Sequence, residues 1–68
     1  MRISARNSIA GKVVEIKKGP NTSHVQISIV GTTLTAEVPN ETVEELDLVV
    51  GSKVYAVVKP NDIMIAMD

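Results

Sequence analysis

The fold is decided by residues 22–38, whose sequence is TSHVQISIVGTTLTAEV. In residues 22–30 apolar side chains alternate with polar ones, and the same alternation returns in residues 33–38. Strict alternation of this kind is typical of a strand with one buried face. Only Gly31 and Thr32 separate the two runs, and a glycine-containing link of two residues between strands predicts a hairpin.

Three more strands are predicted outside this hairpin. The first of them carries Val14 and Ile16 on one face and charged side chains on the other. The sequence Gly-Pro-Asn at residues 19–21 then predicts a turn. The second has apolar side chains on both faces, so we expect both faces to be covered. The three strands are predicted at residues 9–18, 53–59 and 62–67.

One short stretch between the third and fourth strands predicts a helix. Thr42 and Glu45 have the spacing of a capping box, in which Thr42 is the N-cap. Val43 and Leu46 then share a face, because they are three residues apart. The whole pattern predicts an all-β fold, a small five-stranded OB-like Greek-key barrel with one short helix between strands 3 and 4.

Length and composition predict a single small domain that spans residues 1–68. The chain weighs 7.3 kDa and has no Phe, no Trp and one tyrosine, Tyr55, so its core must be aliphatic. Val, Ile and Thr make up a third of the residues, and side chains branched at Cβ favour strands. A domain of this size buries only about 60% of its surface. Without a disulfide or metal to stabilise so small a core, we expect oligomerisation.

The same composition excludes several classes of function. The chain has no cysteine and one histidine, His24, which leaves no thiolate or His-rich metal site. Its net charge of −1 provides no basic surface that would attract the phosphates of a nucleic acid. Its apolar runs are too short to span a membrane. No signal sequence is visible, so we expect a cytoplasmic protein. No catalytic motif is present and the carboxylates are expected on solvated faces, so we predict no enzyme.

The segment Ser4-Ala5-Arg6-Asn7 carries the most information about function. Ser4 can donate one hydrogen bond and Asn7 two, while the rigid guanidinium of Arg6 suits an oxyanion. The small Ala5 lets a backbone N–H approach a ligand closely. From these residues alone, a polar entry to the first strand is the better interpretation. Lys59, taken alone, is likewise interpreted as a solvated lysine at a strand end.

The chain resembles the molbindins, a small family of cytoplasmic molybdate-binding proteins. The resemblance runs over essentially the whole chain and in order. It implies an OB-like barrel that assembles as a homo-hexamer, a trimer of dimers. It further implies binding and storage of molybdate or tungstate at subunit interfaces, without catalysis, cofactor or metal. The matching motifs are SARN at residues 4–7, GKVV at 11–14, VEEL at 43–46 and VVK at 57–59.

By position, the resemblance assigns anion contacts to Ser4, Arg6 and Lys59, and Thr42 supplies a hydroxyl at the start of the helix. In the family these groups come from different subunits. Thr42 would then have two competing roles, since a hydroxyl that caps the helix is less free to bind an anion. The expected anion-binding residues are Ser4, Ala5, Arg6, Asn7, Thr42, Val43 and Lys59.

Two prolines depart from the family pattern. Pro39 stands where the family often has a hydroxyl residue before the helix, and Pro60 stands where relatives often carry Ser or Ala. Proline has no backbone N–H, so any backbone donor at those positions is lost. Asn40 and Asn61 are the candidate replacements for those donors. One alternative is therefore an oligomeric interaction or accessory module of the same fold with a weakened anion site. A second alternative is a nucleic-acid-binding OB domain, although the chain lacks the aromatic side chains on which bases would stack beside its lysines.

Overall fold

One antiparallel sheet forms most of the computed structural model, which describes residues 7–68. The strand order across the sheet is β3 (Thr32–Pro39), β2 (Thr22–Ile29), β1 (Ser8–Lys18) and β4 (Lys53–Val57), so β3 and β4 are the two edges of an open half-barrel. The all-β class, with one short helix between the third and fourth strands, is confirmed. The elements are β1 (Ser8–Lys18), β2 (Thr22–Ile29), β3 (Thr32–Pro39), α1 (Asn40–Glu45), β4 (Lys53–Val57) and a 3-10 helix (Pro60–Asp62).

The predicted hairpin is formed by β2 and β3, with its link one residue earlier than expected. Ile29 pairs with Thr32, so Val30 and Gly31 make the two-residue turn. Gly31 has a φ of 81°, a left-handed conformation that glycine adopts without a Cβ clash. Val30 is not among the described residues with positive φ, so the turn has its left-handed residue at the second central position, as a type II turn does.

A bulge in β1 changes which of its side chains face the core. The register with β2 shifts between Val13 and Glu15, so Val14 is an extra residue in the strand. Val13 is 1% exposed and Ile16 packs beside the core, whereas Val14 is 44% exposed. The prediction that Val14 and Ile16 share a face is therefore wrong, because the extra residue displaces the alternation by one position.

The core is small and aliphatic and lies on one face of the sheet. Its buried members come from β1 and β2 alone, and half-buried side chains from β3, α1 and β4 surround them. In β4, Val54 and Ala56 face this core while Tyr55 and Val57 are about half exposed. The expectation that β4 is covered on both faces is thus wrong for a single chain. The buried apolar residues are Val13, Val25 and Ile27.

Helix α1 begins at Asn40, earlier than the capping box predicted. Its N-cap is Pro39, which offers no side-chain cap. The backbone N–H of Asn40 donates to the carbonyl of Asn21 at 2.9 Å, and its side-chain amide donates to the carbonyl of Gly19 at 3.0 Å. These bonds fix the chain where β3 ends, and the helix starts there. Thr42 is consequently the third helical residue, and its assignment as N-cap is wrong.

The fifth strand predicted at residues 62–67 is not formed, so residues 7–68 contain four strands and not five. Pro60–Asp62 forms a 3-10 helix instead, and the N–H of Ile63 donates to the carbonyl of Pro60 at 3.4 Å. Residues 63–68 then continue, exposed, without joining the sheet. A strand forms only where its backbone groups find a partner edge, and this segment meets neither edge of its own sheet.

Candidate functional site

The beginning of β1 and the end of β4 lie side by side. Ser8 pairs with Val57, and the N–H of Val58 donates to the carbonyl of Asn7 at 2.9 Å. Asn7 is the last residue of the Ser-Ala-Arg-Asn segment, and Val58 immediately precedes Lys59. The antiparallel register therefore brings two of the sequence motifs, far apart along the chain, to one end of the sheet.

Three of the predicted site residues, Ser4, Ala5 and Arg6, lie outside the described residues, and their anion contacts stay predictions. Asn7 is described and half-buried. Its carbonyl accepts a hydrogen bond from the N–H of Val58, while its side-chain amide makes no hydrogen bond within residues 7–68. The amide of Asn7 can therefore donate to a ligand without breaking a bond in this part of the chain.

Lys59 is exposed directly after the last strand. Within residues 7–68 the one side-chain contact at salt-bridge distance joins His24 Nε2 to Glu37 Oε2 at 3.3 Å, so no described carboxylate lies within 4.0 Å of the Lys59 amino group. The carbonyl of Lys59 accepts a hydrogen bond from the N–H of Asp62 at 2.9 Å, which holds its backbone in the 3-10 turn. A lysine on a fixed backbone without a carboxylate partner can give its charge to an anionic ligand.

Thr42 and Val43 lie on the same face as the core but toward the opposite edge of the sheet from β4, because α1 packs against β2 and β3. The side chain of Val43 packs against the core, so only its backbone could serve a ligand. The hydroxyl of Thr42 makes no capping bond. The expected competition between capping and anion binding therefore does not arise at Thr42.

An apolar groove of about 410 Å³ separates these two groups of residues. Its walls are β3 with α1 on one side and β4 on the other, and its floor is the small core. Thr42 lines one wall and Val58, next to Lys59, lines the opposite wall. Since apolar walls cannot satisfy an oxyanion, the groove itself is not a suitable anion site, and within one chain it keeps Thr42 and Lys59 apart.

Asn40 is already engaged and cannot replace a missing backbone donor as expected. Ser23 Oγ donates to Asn40 Oδ1 at 2.6 Å, and Asn40 Nδ2 donates to the Gly19 carbonyl at 3.0 Å. Ser23 is 1% exposed, so these bonds satisfy a buried hydroxyl and tie two turns together. Asn61 is different, because it is exposed in the 3-10 helix two residues after Lys59 and its amide stays available.

Lys12 and Lys53 face each other across β1 and β4, a pair that no sequence pattern predicted. Both line a second groove of about 420 Å³ on the outer side of the sheet, together with Ser28 of β2. Like charges directly opposite each other destabilise a sheet. Only the register between β1 and β4 reveals the pair, and that register is set by long-range packing and not by a local motif.

Among residues 7–68, no cluster of His, Asp or Glu side chains is suitable for binding a metal ion. No group of three or more His, Asp or Glu side chains within residues 7–68 is close enough to hold one. In the same part of the chain, every helix is too short to cross a membrane.

Comparison with known proteins places the chain among molybdenum-related binding proteins. Residues 3–65 match the family described as the TOBE domain. Molybdenum-pterin-binding protein 2 from Clostridium pasteurianum is 46% identical over 66 residues, which is 96% of this chain and 97% of that protein.

Solved structures of the same fold agree with this match. MopII from Clostridium pasteurianum superposes with a TM-score of 0.93 at 43% identity, over 97% of this chain and 100% of that one. A molybdate-binding protein from Sporomusa ovata gives 0.91 at 37% identity, over 98% and 100%. ModG, described as a cytoplasmic molybdate-binding protein, gives 0.79 at 38% identity over 87% of this chain, which spans 43% of ModG.

Proposed function

The chain belongs to the TOBE-domain family and, within it, to the molbindins, and on this premise we propose that it binds molybdate or tungstate as the free oxyanion. Relatives of matching length and fold carry molybdate or molybdenum-pterin binding in their names. One observation carries the proposal for this chain. The bond between Asn7 and Val58 sets the end of the Ser-Ala-Arg-Asn segment beside Lys59.

The proposed ligand is a tetrahedral dianion, which needs several fixed donors and positive charge. Lys59 supplies charge, and the free hydroxyl of Thr42 and amide of Asn7 supply neutral donors. Charge-assisted hydrogen bonds of this kind contribute about 1.5–3 kcal/mol each. The full proposed set adds Ser4 and Arg6 through their side chains, and Ala5 and Val43 through their backbone N–H groups.

The site is proposed to lie between copies of the chain in a homo-hexamer, built as a trimer of dimers. The separation of Thr42 from Lys59 by an apolar groove supports this arrangement. A donor set divided between two edges of one open sheet is brought together most simply by a second copy. Binding would then depend on assembly, and a monomer would hold only part of the site.

The proposed role is storage or buffering of the oxyanion in the cytoplasm, without catalysis. The names of the relatives support a binding role, and the description of ModG as cytoplasmic supports the location. The net charge of −1 is compatible with an anionic ligand, because a few converging donors decide the local potential.

Isothermal titration calorimetry with molybdate, tungstate and sulfate at neutral pH tests the proposal. We expect saturable heat from molybdate and tungstate and weaker binding of sulfate, whose size differs. Absence of heat from both of the first two anions would rule the function out. An oligomer of normal size that ignores all three anions would instead favour the interaction or accessory module.

A further inference from the structure

The outer face of the sheet carries a row of four hydrogen-bond donors that crosses all four strands. Lys12 of β1 lies directly opposite Lys53 of β4 on one side and Ser28 of β2 on the other. Ser28 in turn lies opposite Thr33 of β3. Val13, next to Lys12, is buried in the core, and successive side chains of a strand point to opposite faces, so the row faces away from the core. The oxyanion site proposed above uses none of these four residues.

The two lysines of this row concentrate positive charge without a counter-ion among residues 7–68. Directly opposite residues of an antiparallel pair have Cβ atoms about 5 Å apart, and like charges in such a pair destabilise a sheet. No described carboxylate lies within 4.0 Å of either amino group, and Glu15, the next charged residue along β1, lies beyond the bulge. Two flexible amino groups at this spacing can both contact one phosphate, and its negative charge would remove their repulsion.

The groove of about 420 Å³ beside this pair adds an aromatic surface, and we call it the outer groove. Sites for small molecules commonly measure roughly 300–1,000 Å³ and combine apolar walls with a few polar groups. Tyr55 follows Lys53 by two residues, so both side chains lie on the same face of β4, and Tyr55 is 56% exposed. Its partner on β1 is Ala10, which is too small to cover the ring. The outer groove is lined, among others, by Ala10, Lys12, Ser28, Lys53 and Tyr55.

The single aromatic residue of the chain limits the size of the ligand. Planar bases stack on aromatic side chains, and a nucleic-acid strand is held by several of them in succession. This chain has only Tyr55, so the outer groove fits one planar ring and not a strand. The hydroxyl of Ser28 makes no hydrogen bond within residues 7–68, so it can donate to a phosphate that the two lysines hold.

We infer that the outer groove binds the phosphate ester of a planar aromatic ring, a molecule of mononucleotide size. Lys12 and Lys53 hold the phosphate, Ser28 is the third donor, and the ring lies against Tyr55. The site is separate from the proposed oxyanion site, because Lys53 begins β4 whereas Lys59 follows its end. It requires no molybdate, so failure of the proposed function would leave it standing.

Fluorescence anisotropy of flavin mononucleotide tests the site, and riboflavin is the matched probe that lacks only the phosphate. We expect saturable binding of the mononucleotide and about 10-fold weaker binding of riboflavin. Lys12→Ala and Lys53→Ala should each weaken binding about 10-fold, without destabilising the fold, because each removes a like-charge repulsion. Lys17→Ala, elsewhere on the same face of β1, should stay within about twofold of the parent. No saturable binding, equal affinities for the two flavins, or equal losses in all three variants would overturn the site.

Two further measurements test the ring contact and the separation from the oxyanion site. Tyr55→Leu keeps an apolar side chain but removes the ring, and it should weaken binding of flavin mononucleotide about 10-fold. Molybdate added at the same concentration as the flavin should not displace it. Displacement by molybdate would mean that the phosphate occupies the oxyanion site, and unchanged affinity in Tyr55→Leu would remove the ring contact. Tighter binding of a single-stranded oligonucleotide than of flavin mononucleotide would also overturn the assignment, in favour of a nucleic-acid surface.

Discussion

At the scale of single residues, Asn40 holds three parts of the chain together. Its backbone N–H bonds to Asn21, its amide bonds to Gly19, and its side-chain oxygen accepts from the buried hydroxyl of Ser23. The residue thus closes the turn between β1 and β2 against the start of α1. Sequence alone suggested only that Asn40 follows a proline and carries a free amide, because the partners lie far away along the chain.

Replacing Asn40 by alanine should destabilise the fold by about 2 kcal/mol. The variant loses two side-chain hydrogen bonds and leaves the hydroxyl of Ser23 buried without its acceptor. Urea denaturation followed by circular dichroism measures the loss. Asn61→Ala is the matched control, since Asn61 is exposed, and it should stay within about 0.5 kcal/mol of the parent. A similar stability for the two variants would contradict the structural role of Asn40.

Replacing Lys59 by alanine should weaken molybdate binding about 10- to 100-fold, which corresponds to the loss of one charge-assisted contact. Stability should hardly change, because Lys59 is exposed and has no described carboxylate partner. Titration calorimetry reports the affinity. Lys17→Ala removes the same charge from an exposed position on β1 and should leave affinity within about twofold. If both variants lost the same amount of affinity, Lys59 would affect binding only through the net charge of the chain and not through a contact with the anion.

At the scale of elements, the bulge in β1 shows where local pattern stops being informative. The strands β2 and β3 follow from alternation alone, because each keeps an unbroken period of two that one hairpin turn joins. In β1 the same reasoning selects Val14 as a core residue, yet the bulge turns it outward and Val13 inward. The bulge depends on how β1 pairs with both β2 and β4. A short stretch of sequence contains no information about that long-range pairing.

Two adjacent valines make this difference measurable. Val13→Ala should cost about 2 kcal/mol, because it leaves a cavity in a core whose buried apolar residues are few. Val14→Ala removes the same atoms from a half-exposed position and should cost less than about 0.5 kcal/mol. Chemical denaturation of the two variants compares them directly. A larger loss for Val14 would mean that the strand has no bulge and keeps the simple alternation.

At the scale of the whole molecule, the main feature is an open half-barrel with a small aliphatic core, in a chain that has one aromatic residue. The aliphatic composition correctly predicted strands, but the core that one chain buries is small and the groove beside it stays open. The predicted fifth strand is not formed, because its backbone pairs with no strand among residues 7–68. Alternation indicates that a segment can form a strand, but it does not indicate whether an edge is available for that strand to pair with.

The same limit applies to the candidate site. The motifs at the start of the chain and at Lys59 were recognisable from sequence, and the register of β1 with β4 brings their ends together. The position of Thr42 across the groove was not predictable, because it depends on α1 packing against β2 and β3. The proposal that the site lies between copies of the chain follows from this division and not from the sequence motifs.

Native mass spectrometry of the intact chain, with and without molybdate, tests oxyanion binding at subunit interfaces most directly. It reports the number of subunits and the number of bound anions in one spectrum. We predict a hexamer that gains discrete molybdate masses, while any monomer in the same sample gains none. A hexamer that stays bare at saturating molybdate, or a monomer that binds as many anions per chain, would contradict the account.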